Sequence, residues 1–272
     1  MTSEPDPIAA VSAAMRRRLD GLPRTSASRR EFLQTYQRTT DAVGAAVRDG
    51  TFDDPEWVQR WDAAFAGLYL AALDADLSGS GGVPRPWRLA FDAPAVLPPL
   101  RHVLLGINAH VNYDLPQALL MVIPDAEFAD PVLLDRRRRD HERIDDVLSR
   151  RVRAEDGELA RRSARTLLDR VLTPLNRWAS RRWLREARQK VWHNAVELQR
   201  ARIAGPEVYA ARLAELESLS AARIADLRAP GQVLLRLAGR GFGVVLPSGR
   251  PTRSYTTRSS GGRRRSSGPS SR

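Results

Sequence analysis

Cysteine is absent from the 272 residues, which excludes disulfides and thiolate metal sites and is compatible with a reducing compartment. No apolar run approaches the ~20 residues that a membrane-crossing helix needs. The opening stretch, MTSEPDPIAAVSAAM, has neither the basic n-region nor the long apolar h-region of a secretory signal. These absences lead us to expect a soluble, unexported, cytoplasmic protein without a membrane span. Alternating strand-like runs and internal repeats are also missing. So are a GxSxG elbow, a phosphate-binding Walker loop and a GxGxxG after a strand. The glycine-rich Gly239–Gly243 stretch has no βαβ context to support such a role. Lysine is nearly absent: Lys190 is the only one among 44 basic residues.

What remains is rich in arginine and in helix signals. The formal net charge is +12, but seven arginines and no acid fall between Ser248 and Arg272. Much of the excess therefore sits in a terminal stretch dominated by Gly, Ser, Thr, Pro and Arg, which we expect to be disordered from residue 239 to 272. Such a tail offers contact with nucleic acid or an anionic surface by counterion release, independently of the rest. The arginine bias itself fits a solvated surface. The 42% apolar content is enough for a substantial core.

Helical periodicity organises the rest. Residues 1–27 are expected to form an N-terminal helix and linker, and residues 28–238 a helical domain. Ser28-Arg29-Arg30-Glu31 has the form of a capping box, and Gly50 suits a helix end. Asp54-Pro55-Glu56 supplies an N-cap, a first-turn proline and an acid, followed by the stripe Trp57, Trp61, Phe65, Leu68, Ala72. Further helices are expected from Asp130-Pro131 to about Arg153, from Glu155 to near Pro174, from Pro174 to Ala204, and from Glu207 to Leu227. Val233–Leu237 is ambiguous. The fold class is all-α, a single multi-helix bundle with a disordered basic C-terminal tail.

One stretch stands apart, RHVLLGINAHVNYDLPQALL (residues 101–120). Leu97, Leu100, Leu104, Ile107 and Val111 recur at helical spacing and predict the buried face. Asn108, His110, Asn112 and Asp114 lie among them or just beyond. A polar group taken into a core without a partner costs about 1–3 kcal/mol, so several together imply a network or a site. Pro116 should stop or kink the helix, and Asp114 suits an N-cap for a new one. Gly106 would leave space beside the His110 imidazole.

Only four histidines exist, and three carry an acid four residues later: His110 with Asp114, His141 with Asp145, His193 with Glu197. That spacing puts each pair on one helix face, a common way to supply two ligands to a divalent metal such as zinc. His110, Asp114, His141 and His193 are thus the candidate metal ligands, with Asn108 and Asn112 placed to orient substrate or support a ligand. The competing reading makes each pair structural. His141 lies in RRRRDHERIDD, which reads as a solvated, salt-bridged face, and Glu197 would satisfy a half-buried His193. His102 stands two turns before His110, too far to share an ion with it.

Six segments in order, FLQTYQRTTDAV, FDDPEWVQRWDAAFAGLYLAAL, VPRPWRLAF, LLGINAHVNYDLPQAL, DHERIDDVL and ARQKVWHNAVEL, resemble the bacterial domain of unknown function 5995 family. The resemblance spans most of Phe32–Leu198. Its most specific part is the core Asn108, Ala109, His110, Asn112, Asp114, Leu115, Pro116. It implies a helical domain and assigns no activity. A more distant likeness is to the helical zinc phospholipase C and P1 nuclease group, whose H-x-x-x-D and H-x-x-x-E pairs hold zinc. His110–Asp114 and His193–Glu197 have that spacing. With no N-terminal tryptophan ligand and four histidines, one or two ions at most are implied. Two functions stay open: a metal-dependent, phosphoester-type hydrolase, and a non-enzymatic helical binding or scaffold protein with a structural hydrogen-bond network.

Overall fold

The computed structural model describes residues 6–162, 167–229, 241 and 243–248, and their side chains except over 149–185. All regular elements among them are helical and no strand occurs. In chain order they are α1 (Pro7–Gly21), α2 (Ala27–Arg48), α3 (Pro55–Ser78), α4 (Arg85–Phe91) and α5 (Pro99–Ala109). A π-helical turn (His110–Asp114) leads into α6 (Leu115–Val122), followed by α7 (Asp125–Ala129), α8 (Pro131–Arg162), α9 (Leu167–Ala204) and α10 (Pro206–Arg228). The chain is thus an all-α bundle. No described helix is long and apolar enough to cross a membrane.

The helix starts follow local chemistry. Asp54 Oδ1 accepts from Trp57 N at 3.0 Å, and Pro55 occupies the first turn, where its missing N–H costs nothing. Asp130 Oδ1 likewise accepts from Val132 N at 2.8 Å. The capping box expected at Ser28 does not form: the helix begins two residues earlier, with Ser26 in the N-cap position, and Ser28 Oγ donates instead to Phe91 O at 2.7 Å, tying α2 to α4. Nor does the chain break at Pro174, since α9 is continuous from Leu167 to Ala204. The ambiguous Val233–Leu237 stretch lies outside the described residues.

Two apolar clusters build the core. One gathers Trp57, Trp61, Leu119, Leu198 and Leu216; the other gathers Phe32, Leu33, Tyr69, Leu73, Trp87 and Ile224. The π-turn joins them, with Ala109 in the second and Tyr113 and Leu115 in the first. The N-terminal helix α1 belongs to this body, packed on α2 and α3.

The charged run on α8 is only partly a solvated face. Asp140 is fully buried and accepts from the backbone N–H groups of Asp53 and Asp54, each at 2.8 Å. Arg137 bridges Glu127 and Asp54 and lies over the Trp57 ring. This part of α8 therefore clamps the loop that starts α3.

Helix α5 and the π-turn after it show a different buried face from the one their apolar stripe predicts. Leu100 is exposed and Leu97, Leu104, Ile107 and Val111 are half-covered, while His102, Leu105, Gly106, Asn108 and Ala109 are buried. The reason is that α2, α4 and α10 pack around α5. A Cβ on Gly106 would lie 2.4 Å from Phe32 Cγ. Gly106 thus lets α2 press in, and the expected space beside the imidazole is filled by the Phe32 ring.

Candidate functional site around His110

Pro116 neither stops the helix nor starts a capped one. The Leu115 N–H bonds to His110 O, five residues back, so the chain widens into a π-turn and continues as α6. Asp114 has helical torsions and makes no capping hydrogen bond, so its expected role as an N-cap is overturned. Its carboxylate turns inward. Asp114 Oδ2 accepts from Trp87 Nε1 at 2.8 Å and lies 2.8 Å from His110 Nδ1. The wider turn places His110, Asn112 and Asp114 all inside the protein, at 1–3% exposure. Single π-turns of this kind are frequent at functional sites.

Aromatic rings enclose the imidazole. Phe65 stacks on it at 3.5 Å between centroids and 4°, and Tyr36 meets it edge-on at 4.4 Å. Phe32, Trp87 and Tyr69 stand within 6.0 Å. Burial holds the His110 pKa well below the ordinary imidazole value. It pushes Asp114 well above the carboxylate range, against the opposing hydrogen bond from Trp87. Both directions say that the pair resists net charge. In the tautomer that places one proton between Oδ2 and Nδ1, a neutral pair carries its second proton on Nε2. Nε2 is then a donor, and it has no hydrogen-bond partner.

Other polar atoms nearby are equally unpaired. The Tyr69 hydroxyl has no partner, and the Tyr36 hydroxyl has only Thr40 Oγ1 beside it. On α3, Asp62 is buried with Oδ2 unpaired, and burial followed by the nearby Asp6 charge raises its pKa to about 7. Buried polar groups in folded proteins are nearly always partnered, so each of these unpaired atoms calls for an explanation.

The remaining candidate residues are placed elsewhere. Asn108 Nδ2 donates to Leu104 O at 3.0 Å, and Asn112 Nδ2 donates to Asn108 Oδ1 at 3.1 Å. Asn112 Oδ1 accepts from Val244 N at 3.2 Å, so both asparagines are engaged in the fold. His193 Nε2 bonds to Leu246 O at 2.9 Å. His141 is not on a solvated face: it is fully buried between Trp61 and Trp192, and neither ring nitrogen has a partner. Asp145, its expected mate, pairs with Arg188, and Glu197, the mate expected for His193, pairs with Arg200 and Arg212. Among the described residues, no three His, Asp or Glu side chains are grouped to hold a metal ion. His110 and Asp114 do meet, but through the very atoms that a shared ion would occupy.

Sequence reasoning passed over Trp87, Tyr36, Tyr69, Asp62 and Asn194. Asn194 had a readable signal: it lies three residues after Val191 and four before Leu198, on the buried face of its helix. Trp87 and the tyrosines had none, because only the packing of α2, α3 and α4 brings their polar ends near the π-turn.

Fold and site together define a helical-bundle protein with an interior histidine–carboxylate centre. The model of a family of unknown function, DUF5995, matches residues 8–230, and the chain belongs to that family. The match takes in α1 and all of α10, beyond the Phe32–Leu198 span that carries the sequence resemblance. No curated protein and no solved structure matches the chain.

Proposed function

We propose that the protein is a helical binding protein that takes a small neutral hydrogen-bond acceptor, of ketone or amide type, at His110. A single atom carries this reading: Nε2 of a buried, Asp114-oriented imidazole, protonated in the neutral pair and left without an acceptor. The surroundings fit the same ligand class. The aromatic faces suit a compact apolar body, and the tyrosine hydroxyls add further donors. A carboxylate ligand would bring a charge that the dyad is already arranged to avoid. The test is a titration of protein carrying ¹⁵N-labelled histidine with N-methylacetamide and with cyclohexanone. The His110 Nε2 resonance should shift saturably while His193 stays still. A His110 resonance indifferent to both probes, up to the highest concentration at which the fold persists, removes the proposal.

The same dyad supports a second reading, a metal-dependent hydrolase acting on a phosphoester. A carboxylate behind an imidazole is the usual outer-shell arrangement of a metal-bound histidine. A divalent ion such as zinc would replace the Nε2 proton and supply a water of lowered pKa. Asp114 would then orient the ligand rather than bind the ion. Metal analysis after purification without chelator and after reconstitution decides it: below about a tenth of an equivalent, this reading falls. We further propose a cytoplasmic location, with which the cysteine-free composition is compatible.

A further inference from the structure

Residues 243–248 form an extended strap lying against the π-turn, α9 and α10, held by side chains at six of its backbone groups. Asn194 makes a paired contact of the kind a neighbouring strand would make. Its Nδ2 donates to Val244 O at 3.0 Å, and its Oδ1 accepts from Leu246 N at 2.8 Å. Asn112 Oδ1 accepts from Val244 N, and His193 Nε2 donates to Leu246 O. Lys190 Nζ reaches Gly243 O at 3.4 Å, and Arg212 donates to Pro247 O. Side chains alternate as in a strand: Val244 and Leu246 are buried, while Val245 is 44% exposed. Gly243 must be small, because a Cβ there would lie 2.7 Å from Lys190 Cδ.

This is the recognition pattern of a peptide groove. Main-chain groups are read by fixed polar side chains, alternate side chains enter apolar pockets, and a proline needs no donor partner. Buried asparagines are costly in a helix interface unless their amides are used, and both asparagines here are used on the strap. We propose that this groove is a peptide-binding site with the preference Gly–apolar–any–apolar–Pro. Residues 243–248 fill it as a tethered ligand, and an extended segment of that pattern on another protein is the partner that competes for it. Tethering gives the strap an effective concentration on the order of millimolar, so the native chain binds such a partner only weakly.

The test uses the full chain and a fluorescent peptide of sequence GVVLPS. The double substitution Val244→Arg and Leu246→Arg releases the strap, because the new charges cannot enter the apolar pockets beside Lys190 and Arg212. With helical circular dichroism retained, this variant should bind the peptide saturably, at least about tenfold tighter than the native chain. Adding Asn194→Ala should weaken that binding about tenfold or more, the scale of losing two buried backbone contacts. A folded double variant that ignores the peptide overturns the proposal. Peptide-dependent dimers of the variant would also count against it, since they mean exchange of straps between copies. If the double variant does not fold, hydrogen exchange on the native chain decides instead. The Val244 and Leu246 amides should exchange through local opening, well before the core amides of Leu119 and Leu198. Exchange only with global unfolding would make the strap a permanent part of the core.

Discussion

At the residue scale, the Asp114–His110 pair yields a test of its own protonation. Asparagine is neutral like a protonated aspartate, and its oxygen in the place of Oδ2 can accept both from Trp87 Nε1 and from the imidazole in its Nδ1–H form. Asp114→Asn should therefore stay within about 1 kcal/mol of the native stability. Asp114→Ala strands the donors of Trp87 and the imidazole and should cost roughly 2–4 kcal/mol. Urea denaturation of the two variants separates the cases, and equal losses would mean that the pair is ionised. Asp62 gives a second test, through pH. Its folded pKa is raised to about 7 from 3.8, so the folded state holds a proton that the unfolded chain has released between those values. Stability from this group is complete below about pH 4 and is lost as pH rises to about 7, by up to ~1.4 kcal/mol per unit. Asp62→Asn removes the dependence. The variant's advantage over the native chain should be nil near pH 4, grow through pH 5.5, and be constant above pH 7. His110 and His141, both held neutral by burial, oppose this trend in the native protein by losing stability as pH falls below 6.5.

At the scale of elements, the π-turn depends on its neighbours. α5 lies against α2 at Gly106, where a methyl group would collide with Phe32. That ring is fixed among Tyr36, Tyr69 and Trp87, at 5.0–5.6 Å between centroids, and cannot yield easily. Gly106→Ala should cost about 1–3 kcal/mol and lower the melting temperature by several degrees. An unchanged melting curve would show that α2 and α5 can separate without loss. The sequence was a fair guide to elements wherever local chemistry set them. Asp54-Pro55 and Asp130-Pro131 start helices because the cap and the missing N–H act within one turn. It misled at Ser28, whose hydroxyl found a better partner on α4, and at Pro116. There, a π-turn removes the demand for the hydrogen bond that proline cannot donate.

At the scale of the molecule, composition and packing divide the C-terminal region. The expected tail begins at Gly239, yet Gly243–Ser248 is docked; residues 249–272, with the seven arginines, lie outside the described residues. Deleting 249–272 should leave the melting temperature unchanged and lower the salt needed to elute the protein from a DNA column. Deleting 241–272 removes the strap as well, takes from Asn112 Oδ1, His193 Nε2 and the Asn194 amide their contacts with it, and should lower the melting temperature by several degrees. Equal melting of the two truncations would show that the strap adds nothing to the fold, and unchanged elution would clear the tail of any part in binding.

By itself, the sequence determined the helical class, the helix starts governed by Asp-Pro pairs, and the polar character of the Asn108–Asp114 stretch. Those follow from periodicity and from chemistry confined to a few neighbouring residues. Only the tertiary structure decided which face of α5 is buried, that Asp114 bonds His110 and Trp87 rather than capping a helix, and that His141 and His193 serve separate places. It also decided that Asn112 and Asn194 hold a strap fifty or more residues further along the chain. These outcomes depend on which helices lie side by side, and the spacing of residues along one helix carries no record of its neighbours.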